Sequence, residues 1–201
     1  MDKRYYIAYG SNLNVYQMRY RCPNARIIGT AVMLNYELLF KGSKTGSYLT
    51  IEPKEGSNVP VAVWETTAED EFALDRYEGY PAFYYKKELV LPIKGIKTGK
   101  VRNRKVYVYI MREDRPIGIP SKSYVRTCIE GYHNFGFDID VIKKAYERSR
   151  KECLNESDKK YINRQSLKRR LFSLYKGGDT CGTERQKTEA VSFKGAGRQS
   201  R

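Results

Sequence analysis

The sequence predicts an α+β fold, and three observations carry that prediction. Strand candidates follow one another through the first two-thirds of the chain, at Tyr5–Tyr9, Arg26–Leu34, Glu37–Phe40, Tyr48–Ile51, Val61–Thr66, Tyr84–Leu91 and Lys105–Met111. They are rich in Val, Ile, Tyr and Phe and are punctuated by Gly, Pro and Asn, which suits a pleated and half-buried surface. Helix candidates interrupt this series rather than alternating with it, which argues against a doubly wound parallel sheet.

The helix candidates are Val15–Arg21, Ala68–Glu78, Ser121–His133 and Ile139–Cys153. Ala68–Glu78 carries the most punctuation. Thr67 and Asp70 have capping-box spacing, and Gly79 stands where a left-handed residue closes a helix. Phe72, Leu74 and Tyr77 are its expected inward face. "YYKKELVL" and "KVYVYIM" read as two strands of one sheet, joined by the polar, glycine-containing "KGIKTGKVRN".

Composition narrows the function classes. The chain has 201 residues, 40% of them hydrophobic, enough for one packed domain and an appendage. A body over 1–153 followed by a basic tail over 154–201 is expected. No apolar run nears the roughly 18–20 residues of a membrane span, and "MDKRYYIAYG" lacks a signal-peptide h-region, so a cytoplasmic protein is expected. The one histidine, His133, excludes sites built on two imidazoles, and the four cysteines lack C-x-x-C spacing. Neither a metal nor another cofactor is expected.

The net charge of +15 is unevenly placed. From Lys143 onward there are 17 Lys and Arg against 7 Asp and Glu, while residues 1–142 hold 21 against 16. "NESDKKYINRQSLKRRLFSLY" fits a basic amphipathic helix with Tyr161, Leu167, Leu171 and Leu174 near one side, and the composition after Gly177 predicts disorder. Such a tail suits an acidic partner, a nucleic acid or a membrane surface.

Two stretches carry chemistry. In "YIAYGSNLN" a strand runs into Gly-Ser-Asn just before a helix candidate, which places backbone N–H groups in a concave turn suited to an anion. Gly10 would permit positive φ or close approach of a ligand. The same residues also read as a plain turn whose Asn caps the helix. The second stretch is "LDRYEGYPAFYY", Leu74 to Tyr85. Glu78 falls in the last helical turn, where negative charge is disfavoured by about 0.3–1 kcal/mol. Packing against Tyr77, Tyr80, Phe83 and Tyr85 would raise its pKa further, since desolvation moves a carboxyl by up to about 3–5 pH units. That would suit proton transfer near neutrality; a solvated Glu at a helix end is the other reading. Ser11 with His133 lacks a G-x-S-x-G elbow, and Cys22 or Cys128 with His133 is no better supported.

"AYGSN" at Ala8–Asn12, "LDRYEG" at Leu74–Gly79 and "IPSKSYVRTCIEGYHNFGFD" at Ile119–Asp138 resemble, in order, three signatures of the γ-glutamylcyclotransferase-like superfamily, which includes the avirulence-induced proteins of plants. The resemblance runs from Arg4 to about Arg150. It implies a small mixed β-barrel with surrounding helices around one pocket. It also implies a γ-glutamyl substrate whose α-amine attacks its own γ-carbonyl, releasing 5-oxoproline and an amine. Carried over residue by residue, Glu78 is the general acid/base. Tyr6, Ile7, Ala8, Tyr9, Gly10 and Ser11 form the substrate turn with Asn12 supporting it, and Tyr85 and Tyr124 supply hydroxyls. Rings around Glu78 point to an alkyl amine or a lysine side chain as the leaving group. The alternatives are a silent binder of γ-glutamyl or other small ligands, or a nucleic-acid-binding protein acting through its tail.

Overall fold

A computed structural model describes residues 3–43 and 46–154 of the chain. Five strands close into a barrel: β1 (Arg4–Ala8), β2 (Arg26–Ser43), β3 (Gly46–Thr66), β4 (Tyr84–Gly95) and β5 (Val101–Met111). Their order around the wall is β1-β3-β2-β4-β5. Every pairing is antiparallel except the closure of β1 on β5, where Tyr6 faces Tyr107 in parallel. Among the described residues, closure leaves no edge strand to cap. Four helices pack around it: α1 (Val15–Arg21), α2 (Ala68–Glu78), α3 (Lys122–Asn134) and α4 (Asp140–Cys153). Among the described residues no helix is long and apolar enough to cross a membrane. The expected basic helix and disordered end of the tail lie outside the described residues.

Two strand pairs expected as separate are single long strands. Arg26–Leu34 and Glu37–Phe40 join as β2, and Tyr48–Ile51 and Val61–Thr66 join as β3. The polar residues between them form a bulge, not a break. Pairing passes from Leu34↔Asn58 to Tyr36↔Pro53 across Asn35, whose φ is 59°. Asn tolerates that left-handed conformation, and its Oδ1 accepts a hydrogen bond from Gly56 N at 3.1 Å.

Burial explains why the strands read as apolar runs rather than strict alternations. Val61, Ala62, Val63 and Trp64 are all buried, since one face fills the barrel and the other lies under helices. The Trp64 ring meets Phe135 edge-on at 6.3 Å, just beyond α3. On α2 the capping box of Thr67 and Asp70 is formed, and Gly79 takes the left-handed conformation. The inward face of α2 differs from expectation. Asp70 and Leu74, four residues apart, are the buried pair, whereas Phe72 and Tyr77 are exposed.

One contact fixes the turn after β1. α3 lies so close to the 3-10 turn Ser11–Leu13 that a Cβ on Gly131 would stand 2.6 Å from both Asn14 N and Leu13 Cβ. Asn14 adds two ties: its Oδ1 caps α1 by accepting from Gln17 N, and its Nδ2 donates to Glu130. Gly131→Ala is therefore expected to destabilise the fold by about 1–3 kcal/mol through overpacking. Denaturant midpoints check this; an unchanged midpoint would mean that α3 is not seated as described.

Candidate active site

β1 delivers the chain through Tyr9 and Gly10 into the 3-10 turn, and α1 then doubles back beside it. The Gly79 left-handed turn and the segment 80–83 carry α2 into β4, so Glu78 at the end of α2 faces the same turn. The two stretches singled out in the sequence thus meet at one cavity. Its inner recess has a volume of about 20 Å³, lined by Tyr6, Tyr9, Gly10, Asn12, Glu78 and Tyr84, among others. An outer cleft of about 560 Å³ shares Ser11, Glu78, Tyr84 and Tyr124 with that recess. Glu78 stands where the wide space narrows.

The hydrogen bonds around Glu78 are directional. Asn12 Nδ2 donates to Glu78 Oε1 at 2.8 Å and to the Tyr6 hydroxyl at 2.9 Å. Asn12 Oδ1 accepts from the Arg21 guanidinium, which fixes which end of the amide faces the carboxylate. Arg21 also lies over the Tyr77 ring, 3.3 Å from its centre, and Tyr77 shares a 3.1 Å hydrogen bond with Ser11 Oγ. Behind these groups, the Tyr9 hydroxyl donates to the Tyr109 carbonyl and the Tyr84 hydroxyl to the Leu49 carbonyl. The Tyr124 hydroxyl accepts from Leu49 N.

Electrostatics follow from this packing. Burial pushes the Glu78 carboxyl from its ordinary 4.5 up to about 7, against the opposing pull of Arg21 and the Asn12 hydrogen bond. Tyr6, Tyr9, Tyr84 and Tyr124 are all held well above 10, again chiefly by burial, so they stay protonated. The site is therefore one carboxyl poised near neutrality, ringed by intact hydroxyls. Because the Arg21 cation favours the carboxylate, Arg21→Met is expected to raise the Glu78 midpoint above about 7. Carboxyl carbon shifts in an NMR titration measure that midpoint; one that stays put or falls would uncouple the two side chains.

Seven of the ten residues singled out from the sequence gather here: Tyr6, Tyr9, Gly10, Ser11, Asn12, Glu78 and Tyr124. Ile7 and Ala8 are buried in β1, paired through Val63 and Ala62 of β3, and do not line the recess. Tyr85 is not at the cavity either. Neighbouring strand residues point to opposite faces, and it is Tyr84 that turns inward. The Tyr85 hydroxyl instead donates to Glu113 at 2.6 Å. Nor does Gly10 use positive φ, for its φ is −118°. A Cβ there would stand 3.4 Å from the Tyr124 hydroxyl and from Leu49 Cβ, at ordinary contact distance. The rings packed around Glu78 also differ from those expected: Tyr6 and Tyr84 take the place of Tyr80 and Tyr85.

Sequence reading missed Arg21, Tyr84, Leu49 and Tyr109. Arg21 ends α1 and reaches Asn12 only because α1 folds back on the preceding turn. Leu49 and Tyr109 come from β3 and β5, distant in sequence. Only the neighbouring pair Tyr84 and Tyr85 carried a signal, and the sequence did not fix which of the two faced inward.

Known proteins share this architecture. A family model described as "Gamma-glutamyl cyclotransferase, AIG2-like" matches residues 6–126, from the first tyrosine of the recess to just past Tyr124. The fold is similar to an uncharacterized protein from Homo sapiens, with 25% identity over 72% of this chain and 87% of that one, at a TM-score of 0.61. It is also similar to a structure described as a gamma-glutamyl cyclotransferase, with 21% identity over 88% of this chain and 100% of that one, at a TM-score of 0.62. YkqA from Bacillus subtilis is 16% identical over 75% of this chain and 55% of its own, with a TM-score of 0.60. No curated sequence matched the chain. With its matched span holding both the glycine turn and Glu78, the chain belongs to the γ-glutamyl cyclotransferase, AIG2-like family.

Proposed function

We propose that the protein is a cyclising γ-glutamyl cyclotransferase that converts a γ-glutamyl amide into 5-oxoproline and a free amine. The observation that carries this reading is the Glu78 carboxyl, poised near pH 7 and hydrogen-bonded to Asn12 at the turn after β1. The substrate supplies its own nucleophile. Its α-amine, once unprotonated, bonds to the γ-carbonyl carbon, and the amide bond from that carbon to the leaving nitrogen breaks. The proton shed by the attacking nitrogen passes to Glu78 and then to the leaving nitrogen, so the carboxylate is restored.

The remaining work is positioning, which counts heavily when both reacting groups belong to one molecule. The inner recess holds about one water's worth of space, so the glutamyl head sits in the wider cleft with its polar end reaching inward. Leu13 and Asn14 use their N–H groups to close the 3-10 turn, so an α-carboxylate would be met by amides earlier in the turn and by Ser11 Oγ. The phenols of Tyr6, Tyr84 and Tyr124 remain donors or acceptors at neutral pH.

The test is incubation of the full chain with a panel of γ-glutamyl amides, assaying 5-oxoproline. Release from at least one of them is expected. Binding without release would make the protein a γ-glutamyl-binding module instead.

A further inference from the structure

We propose that the outer wall of the barrel formed by β2, β4 and β5, together with the turn that joins β4 to β5, docks on an anionic membrane surface. Five of the six large aliphatic side chains exposed among the described residues lie there: Val32, Leu34, Val90, Ile96 and Val101. Leu34 is 63% exposed, Val90 64% and Val101 62%. Strand alternation sets the face. On β2, Ala31 and Met33 are buried while Val32 and Leu34 point out; on β4, Leu91 and Ile93 are buried while Val90, Pro92 and Lys94 point out. Register carries this face across three strands, since Lys94 pairs with Thr30 of β2 and with Val101 of β5, and Val90 pairs with Lys105. β2 and β4 join closely there, for a Cβ on Gly29 would run into the Lys94 carbonyl. Exposed apolar groups gathered on one face mark an interaction surface, whereas scattered ones do not.

The same wall is cationic. From Leu89 to Arg112 the chain has seven Lys and Arg and no Asp or Glu, and β2 holds no acidic residue from Arg26 to Tyr36. Lys94, Lys97, Lys100, Arg102 and Lys105 are all exposed. Lys105 pairs with Glu88 at 2.7 Å, and the other four form no salt bridge among the described residues. The turn itself is tied down. Gly95 N donates to the Lys100 carbonyl, and Ile96 N donates to the Ile28 carbonyl of β2. Ile96, Lys97 and Lys100 are therefore held at the edge of the wall.

Aliphatic groups set among unpaired cations fit one kind of partner. A lipid surface takes both, with apolar side chains entering the boundary between headgroups and acyl chains while Lys and Arg meet anionic headgroups. A second copy of the chain is a poor fit, because it would set these cations against their own counterparts. A single-stranded nucleic acid would take the cations, but its bases stack on rings, and the exposed apolar groups here are Val, Leu, Ile and Pro. β4 starts at Tyr84 in the recess and ends at Gly95, roughly 35 Å away along the strand at about 3.3 Å per residue. Docking and the chemistry at Glu78 thus use opposite ends of β4.

Co-sedimentation of the full chain with two sets of vesicles tests this: phosphatidylcholine alone, and about three parts phosphatidylcholine to one part phosphatidylserine. Binding to the second set is expected, weakening as salt is added, with little binding to the first. Each cation near an anionic surface contributes about fivefold in affinity, so the triple variant Lys94→Gln, Lys97→Gln, Lys100→Gln is expected to bind about 100-fold more weakly. The double variant Leu34→Ser, Val90→Ser keeps the charge and is expected to bind about tenfold more weakly. All five positions are exposed, so both variants are expected to keep the wild-type denaturant midpoint, which checks their folding. No binding by the wild type, equal binding to both vesicle sets, or binding that either variant retains in full would overturn the inference. A wild-type dimer that the double variant turns into a monomer would overturn it in favour of a contact between copies. Binding of a single-stranded RNA oligomer without binding of the vesicles would overturn it in favour of a nucleic-acid surface.

Discussion

Glu78→Gln is expected to slow 5-oxoproline release by about 10²–10⁴-fold, or roughly 3–5 kcal/mol of barrier, because one side chain serves both proton transfers. The substitution isolates that role. The Gln amide oxygen can still accept the Asn12 hydrogen bond, and the two side chains have nearly the same shape, so the recess keeps its wall. What is removed is the ability to take a proton and give it back. Substrate binding should change much less than kcat, since positioning by the turn after β1 is untouched. In the wild type the carboxylate form is the competent base, so kcat/KM should rise with pH through about 7, where the buried carboxyl ionises. Initial rates across pH 5 to 9 for both proteins check the whole pattern. Equal rates for the two, or a wild-type profile that is flat through neutrality, would remove Glu78 from the chemistry.

How much of this site was visible in the sequence depends on the range of the interaction that builds each part. The helix that carries Glu78 was legible to the residue, because its signals are local: Thr67 and Asp70 for the start, Gly79 for the end. Val15–Arg21 was legible too, although the residue that caps it is Asn14 and not the Asn12 of Gly-Ser-Asn, which turns to Glu78 instead. β2 and β3 were each read as two strands because Asn35 and the Lys54–Ser57 stretch look like turn chemistry. A bulge and a turn use the same residues, and only pairing across the barrel tells them apart. Tyr84 against Tyr85 failed for a related reason. A strand's period of two is readable, but its phase is fixed by what lies opposite. Arg21 was invisible because its contact with Asn12 depends on the angle at which α1 folds back, which no nearby residue encodes. Legibility thus followed whether a residue carried a local signal: Asn12 was readable from its own turn, whereas Arg21, only nine residues on, was not.

The same carboxyl should cost the protein stability at neutral pH, and Glu78→Gln should recover it. Folding raises the Glu78 pKa from 4.5 to about 7, so between those values the folded chain keeps a proton that the unfolded chain has lost. Stability falls with pH wherever the folded state binds more protons. The Glu78 contribution is thus fully present below about pH 4.5, declines through the interval and is gone above about pH 7, where a charge is buried beside four phenols. The full shift corresponds to at most about 3 kcal/mol. Arg21 and Asn12 already offset part of the burial penalty and are included in that value. Glutamine has no proton to lose, so its stability should not follow this curve. At pH 4 the two proteins should unfold at similar denaturant concentrations; at pH 8 the variant should be more stable by about 1–3 kcal/mol, or roughly 2–4 °C in Tm for each kcal/mol. Parallel stability curves from pH 4 to 8 would place the carboxyl in water rather than in the recess, and with that the reason for a near-neutral pKa would go. A protein that gains stability and loses turnover from one isosteric change is holding a charge where folding alone would not put it.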